Sequence, residues 1–449
     1  MKIGGIIAEY NPFHNGHEYH IMQTRNITGA DYVIKEKSSC SHLVAVTSGN
    51  FVQRGGPAIV DKYTRAKMAL DNGVDLVLEM PAYYATQTAE IFSRGAVMTL
   101  EALNCVDSFC FGSEHGEIDK LKEAAAISMG ISGDYEVSLR KNIEEGMPFA
   151  VAREMAVREY MDEVPSDFFK GSNNILAIEY LRELIRLDSK MEPITIRRMS
   201  AGHNSREVSG DISSATAIRK VLNGLELREN VMNTKDKRDF LRKISIIENS
   251  VPKTIYFELI DMISKEMYPL DNEDFFSEIR TCVIRNEGTL HNYFEVKEGL
   301  ENSIRKTVVR APRFDDVVAE LRSKRYTSSK IRRCLFNILL GVKDRDMDIA
   351  KNLKQLPYVR VLALNDKGRE ILKKIKEVSD VDVVSSPAKA KLTDSYIENP
   401  VYKMLFDFDL RSSSIYYQKY YSNHREQLEN GEVDYFNLIT RLEQKNDID

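Results

Sequence analysis

Ile3-Gly4-Gly5-Ile6-Ile7-Ala8-Glu9-Tyr10-Asn11-Pro12-Phe13-His14-Asn15-Gly16-His17 is the densest stretch of chemistry in this 449-residue chain. An apolar run of strand length, Ile3–Ala8, meets a charge at Glu9 and a turn marked by Pro12 and Gly16. Helical spacing follows from His17 to Thr28. A buried strand, a loop and a helix in that order open a parallel α/β sheet. Ligands of such sheets bind at the carboxyl ends of the strands. The helix start after the loop presents free N–H groups to an anion. Gly16 has no Cβ, so a phosphate can approach its backbone. His14 and His17 can both donate hydrogen bonds to a phosphate whose charge grows in a transition state. Two plainer readings stay open. One is a zinc site, because His14, His17 and His20 repeat every three residues; the other is a turn with surface histidines.

Outward from this stretch, short β-rich runs alternate with helical periods to about Lys220. Leu43–Thr47, Val74–Leu78 and Val106–Gly112 read as strands, and Asp61–Asn72 and Gln87–Leu103 as helices. The alternation predicts a parallel sheet covered by helices. Beyond Val221 the pattern is mostly helical: Asp236–Glu248, Thr254–Lys265, Asp274–Asn286 and Thr327–Leu340. A small mixed piece follows, with strands at Tyr358–Leu364 and Val381–Ser385 around a helix at Asp366–Val378. The expected architecture is α/β: a Rossmann-like domain over residues 1–225, then a mostly helical domain over 226–449.

Composition narrows the class. Apolar residues make up 43% and charged residues 29%, which excludes a disordered or collagen-like chain. The formal net charge is −5, so the average charge predicts no polyanion partner. The five cysteines are widely spaced with no CxxC, which disfavours a disulfide scaffold or a Cys-based zinc site and suits a reducing cytosol. No signal peptide or membrane-spanning run is evident.

HxGH after a first strand resembles the nucleotidyltransferase superfamily. The longer string Glu9-Tyr10-Asn11-Pro12-Phe13-His14-Asn15-Gly16-His17 resembles the bacterial tRNA(Met) cytidine acetate ligase family. Further blocks are similar: Ser48-Gly49-Asn50-Phe51-Val52-Gln53-Arg54-Gly55, Asp61-Lys62-Tyr63-Thr64-Arg65-Ala66, Phe111-Gly112-Ser113-Glu114, Gly171-Ser172-Asn173-Asn174 and Ile212–Arg219. Lys62 and Arg65, at a helix start, are cations that can face triphosphate oxygens. A solvated helix face is the commoner role for such a pair. The resemblance implies His14 and His17 as catalytic residues. It also implies an ATP site formed by Ile7, Ala8, Glu9, Tyr10, Asn11, Pro12, Phe13, His14, Asn15, Gly16, His17 and His20. Gly112, Asn173, Arg198, Met199, Ser213, Thr216 and Arg219 complete that site. Capping alone also explains the Ser and Asn positions at the two helix starts.

Between Arg305 and Arg333 ten residues are basic and three acidic, a local surplus of positive charge in a net-negative chain. Such a patch predicts salt-dependent RNA binding. The apolar stripe Ile331, Leu335, Ile338 and Leu339 leaves the cations on the outer side of a helix. Arg322, Lys324, Arg325, Lys330, Arg332 and Arg333 are the expected tRNA contacts, with Tyr326 as a base-stacking candidate. Three places depart from the family pattern: the polar insertion Lys35–His42, Gly171-Ser172 in place of a proline, and Ala201-Gly202-His203-Asn204. The first puts the placement of Ser48 and Asn50 in question.

What the resemblance implies is ATP-dependent activation of acetate to acetyl-adenylate with release of pyrophosphate. Acetyl transfer to the wobble cytidine amine of elongator tRNA(Met) then releases AMP. Mg²⁺ is expected with ATP, without an all-protein metal cage; neither a membrane nor a protein partner is expected. A small-molecule nucleotidyltransferase shares the HxGH turn but needs no basic patch. A non-catalytic RNA-binding protein with a retained nucleotide fold needs the patch but turns over no ATP.

Overall fold

The computed structural model describes residues 1–25, 40–131, 134–147, 149–198, 214–223, 242–265, 267, 269–323, 325–422, 434 and 440–441. Strands β1 (Ile3–Ile7), β2 (His42–Ser48), β5 (Leu76–Met80), β6 (Ser108–Ser113) and β7 (Glu192–Arg197) form the parallel part of the main sheet. The short pair β3 (Phe51–Val52) and β4 (Gly56–Pro57) stands apart from it. With β8 (Tyr358–Leu364), β9 (Asp382–Val384) and β10 (Thr440–Arg441) from the second half, strand order is β10-β8-β5-β2-β1-β6-β7, with β9 also on β8. β1 is central and buried along nearly its whole length, which suits its uninterrupted apolar run. β2 begins at His42, the last residue of the polar insertion, so Ser48 ends that strand and Asn50 follows two residues on.

Helices cover both faces of the sheet. α1 (Asn15–Arg25) follows β1, and α2 (Lys62–Asp71) starts at Asp61, whose carboxylate accepts from the Tyr63 and Thr64 amides. α3 (Ala89–Glu101) packs on α4 (Ser172–Arg186), while α5 (Ala215–Asn223) carries the last motif of the first half. The second half supplies α6 (Phe276–Arg285), α7 (Leu300–Arg310), α8 (Phe314–Leu321) and α9 (Ser328–Leu340), a helical cluster.

The second half also returns to the sheet. β8 (Tyr358–Leu364) pairs antiparallel with β5, and β9 (Asp382–Val384) and β10 (Thr440–Arg441) flank β8 in parallel. The strand order therefore runs across the expected boundary at 225/226. α10 (Asp366–Val378) lies against β2, β5 and β8, and α11 (Pro400–Tyr420) closes the chain's core.

A buried charge cluster binds these pieces together. Lys62 Nζ donates to Glu79 of β5 at 2.8 Å, to Asp434 at 2.9 Å and to Ser413 of α11 at 3.0 Å. Arg360 of β8 pairs with Asp434 at 2.9 Å and lies 3.3 Å from Glu79. Two cations face two carboxylates, so each buried charge is compensated. The two cations hold the Asp434 carboxyl well below the ordinary carboxylate range, against the opposing effect of burial.

Candidate functional site

The turn after β1 is tightly held. Glu9 Oε1 accepts from Ser48 Oγ and from the Gln53 amide, both at 2.8 Å. Tyr10 has a left-handed backbone (φ +49°) and the Asn11–Pro12 bond is cis. The Tyr10 ring stacks on Phe13 at 5.2 Å and meets His17 edge-on at 5.1 Å. Asn11 Oδ1 accepts from the Ile59 amide at 2.9 Å. Asn15 reaches across to the Asn249 carbonyl at 2.8 Å.

His14 and His17 stack with ring centroids 3.8 Å apart. The Gly16 amide donates to His14 Nδ1 at 3.0 Å, and the His14 amide donates to His17 Nδ1 at 3.2 Å. A nitrogen that accepts carries no proton, so in the neutral rings the proton sits on Nε2 of each. Both imidazoles therefore present an N–H donor. Burial lowers the His14 pKa to about 3, helped by the charges of Arg198 and Arg219. His17 is likewise pushed well down, first by desolvation and then by His14, Arg198 and His20. His20 falls to about 4, mainly by burial, and its ring bonds the Cys110 carbonyl. Neutral donors among arginines suit an anion that arrives with its own charge.

Gly16 serves His14 directly: a Cβ there would lie 2.9 Å from His14 Cε1. The first backbone donors of α1 are also taken up locally. The Gly16 amide bonds the His14 ring, and the His17 and Glu18 amides bond the His14 carbonyl. The imidazole N–H groups, rather than these amides, are the donors this turn offers.

Arg219 Nη1 donates to the Asn11 carbonyl at 2.6 Å and Nη2 to Thr216 Oγ1 at 3.0 Å, which places α5 beside the turn. Ser214 caps that helix by accepting from the Ala217 amide at 3.1 Å. Arg198 follows β7 and lies against Gly112, where a Cβ would meet its Cγ at 2.9 Å. Asn173 is committed elsewhere. Its amide N–H and side-chain Nδ2 both donate to Glu114 Oε1, at 2.9 and 2.8 Å, while the Asn174 amide takes Oε2 at 2.6 Å. The start of α4 thus already holds a carboxylate from the chain itself. Ile7 and Ala8 lie at the end of β1, half-buried. Met199 and Ser213 lie outside the described residues.

Lys62 and Arg65 do not line this opening; both are fully buried. Lys62 belongs to the charge cluster, and Arg65 ties loops. Its Nη1 bonds the Glu9 carbonyl at 2.6 Å and Thr47 Oγ1 at 3.3 Å, Nη2 bonds the Ser48 carbonyl at 3.1 Å and the Gly49 carbonyl, and Nε bonds the Val60 carbonyl at 3.1 Å. The expectation that these two cations face triphosphate is corrected. Most of their counter-groups are distant in sequence, so a local reading carries no sign of them.

The basic segment abuts the same loops. Phe51 packs on Phe336 of α9 and on Phe275, with centroids 5.8 and 5.6 Å apart. Gly55, at φ +76°, lies so close to α9 that a Cβ would sit 2.6 Å from the Arg333 amide nitrogen. Ile331, Leu335, Ile338 and Leu339 are buried as the stripe predicts. The cations are largely paired: Arg325 with Glu298 at 2.5 Å, Arg332 with Asp315 at 3.7 Å and Arg333 with Glu295 at 3.1 Å. Lys330 sits 5.3 Å from the Tyr326 ring centre and Arg325 5.6 Å from it. Arg322 is exposed, and Lys324 lies outside the described residues. Among the described residues there is no group of three or more metal-ligand side chains, and no helix is long and apolar enough to cross a membrane.

A profile of the HIGH nucleotidyl transferase family matches residues 1–431. The tRNA(Met) cytidine acetate ligase of Caldicellulosiruptor bescii is 38% identical over 426 residues, spanning 95% of this chain and 96% of its own. The enzyme of the same name from Caldanaerobacter subterraneus subsp. tengcongensis is 37% identical over 446 residues, spanning 98% and 100%. Among solved structures, Thermotoga maritima TmcAL bound with alpha-thio ATP superposes with a TM-score of 0.84 at 27% identity, and its apo form with 0.86 at 28%. Each superposition covers 99% of this chain and 100% of the other.

Proposed function

The chain belongs to the tRNA(Met) cytidine acetate ligase family, and from that premise we propose how its own residues divide the work. It is an ATP-dependent ligase acting on acetate and tRNA(Met). In the first step an acetate oxygen attacks the α-phosphorus of ATP and pyrophosphate leaves. Nε2–H of His14 and of His17 donate to the α-phosphate oxygens as their charge grows, and Arg198 and Arg219 neutralise the rest of the polyphosphate. The paired Nδ1 anchors support this role, because they fix both histidines as donors toward the ligand. Mg²⁺ carried by ATP would be held mainly by the phosphate oxygens and would neutralise part of their charge.

In the second step the exocyclic amine of the wobble cytidine attacks the acetyl carbon, giving N4-acetylcytidine and AMP. The outer face of α9 and its preceding loop, with Arg322, Lys324, Arg325, Lys330, Arg332 and Arg333, receive the tRNA backbone. The contact of Gly55 with α9 supports this reading, because it joins that face to the loop held by Glu9. Transfer of radiolabelled acetate into purified elongator tRNA(Met), with and without ATP, tests the whole scheme. ATP-dependent label on one cytidine is the expected result. No label with competent tRNA and folded protein defeats it and favours a small-molecule nucleotidyltransferase.

A further inference from the structure

Acyl transfer to a cytidine amine has a requirement that adenylate formation lacks. The N4 lone pair is delocalised into the ring, so the amine is a poor nucleophile, and an N4 proton must leave as the new bond forms. A base has to stand between the phosphate donors and the RNA-facing surface.

The histidines of the turn are poorly placed for it. Nδ1 of His14 and of His17 each accept a backbone N–H, so Nε2 of each already bears a proton. His20 bonds Cys110 and its Nε2 is enclosed away from solvent. Glu114 is consumed by the start of α4. Glu18 follows His17 by one residue, about 100° around the helix from it. Glu9 differs from all of these. It lies two residues beyond the end of β1, and among the described residues both hydrogen bonds to its side chain go to Oε1, leaving Oε2 without a partner there. Among the described residues, Arg65, Arg219 and Tyr180 are charged or titratable groups close enough to feel its charge. Through the Gln53 amide it is tied to the loop whose Gly55 packs on the basic helix.

We propose that Glu9 is the general base of acetyl transfer, a catalytic role that rests on the acetate-ligase reading. The N4 nitrogen forms a bond to the acetyl carbon, and the bond from that carbon to the phosphate oxygen breaks. AMP departs with the electron pair, and one N4 proton passes to Glu9 Oε2. Ser48 and Gln53 hold the other oxygen and set the carboxylate's orientation.

The test compares two acceptors of the activated acetyl group. Hydroxylamine traps acetyl-adenylate as a hydroxamate and needs no base; the tRNA cytidine needs one. Glu9→Gln keeps a carbonyl to accept from Ser48 and Gln53. With ATP and acetate, it is expected to lose acetylcytidine formation at least about 100-fold more than hydroxamate formation, within the usual range for a lost general base. Equal loss of both products, or no loss of acetylcytidine, overturns the assignment. If Glu9→Gln does not fold, Glu9→Asp carries the test: it retains a carboxylate one methylene short and lowers acetylcytidine selectively, and equal losses again overturn it. Wild-type protein that makes hydroxamate but never acetylcytidine defeats the acetate-ligase reading itself, a result distinct from failure of Glu9 alone.

Discussion

Arg65→Lys separates a structural cation from a nucleotide ligand. The guanidinium makes five hydrogen bonds, four to backbone carbonyls and one to a hydroxyl, in a fully buried site. A lysine ammonium has three donors on a single atom. At least two acceptors are therefore left without a partner, and a buried unsatisfied acceptor costs about 1–3 kcal/mol. The expected destabilisation is about 2–6 kcal/mol. With an m-value of about 3 kcal/mol/M, the urea midpoint falls by about 0.7–2 M. Unfolding followed by fluorescence or circular dichroism reads this directly, and acetate-dependent ATP–pyrophosphate exchange, run well below the transition, reads KM for ATP. The structural role predicts a lower midpoint with KM changed little. A wild-type midpoint combined with a tenfold rise in KM would mean that Arg65 reaches the nucleotide, and the account of the buried tie would be wrong.

The remaining tests address the turn and the basic face. His17→Ala removes one donor to the developing phosphate charge, so acetate-dependent ATP–pyrophosphate exchange should fall about 10²–10³-fold; retention of more than a tenth of the rate speaks against the donor role. His14 titrates near 3 when folded and near 6.5 otherwise. As pH falls below 6.5 the unfolded chain takes up that proton first, so stability present at pH 7 is lost between about pH 6.5 and 3. At pH 5 the loss from His14 alone is about 2 kcal/mol. Urea midpoints at pH 7 and 5 should therefore differ less for His14→Asn than for wild type, and identical differences would refute the buried neutral state. Glu298→Gln releases the exposed Arg325, so tRNA binding should tighten by about two- to fivefold, the worth of a surface pair. Weaker or unchanged binding in a filter or fluorescence titration would count against Arg325 as a tRNA contact.

The first strand, its turn and the order of early elements were legible because their signals are local. Ile3–Ala8 reads as a strand and is one over Ile3–Ile7, and Tyr358–Leu364 and Asp366–Val378 fall where their periodicity puts them. Partner choice was not legible. Nothing local says that β8 pairs antiparallel with β5, a register that places Arg360 opposite Glu79, far apart in sequence yet 3.3 Å apart in the cluster with Lys62 and Asp434. The same limit hid the role of Lys62 and Arg65, and it inflated the charge of the basic run. Glu287, Glu295 and Glu298 precede that run in sequence, yet they fold onto Arg305, Arg333 and Arg325. The two Nδ1 anchors were equally out of reach, since they depend on the path of a turn with Tyr10 in the left-handed region.

That pairing changes what the basic face can do. If tRNA docks there, its phosphates do not meet bare cations; they replace carboxylates at Arg325 and Arg332. An exposed pair is worth about 0–1 kcal/mol, so each exchange is nearly neutral by itself. Net gain then comes from several phosphates that fit in register and from counterions released into solution. A polyanion lacking that register gains little, which fits a chain whose overall charge is −5. The aromatic packing of Phe51 on Phe275 and Phe336 holds this face to the loop that orients Glu9. On the proposed scheme, backbone docked on α9 would meet the acyl-transfer centre through that contact, which would tie selectivity for the folded tRNA to delivery of the cytidine.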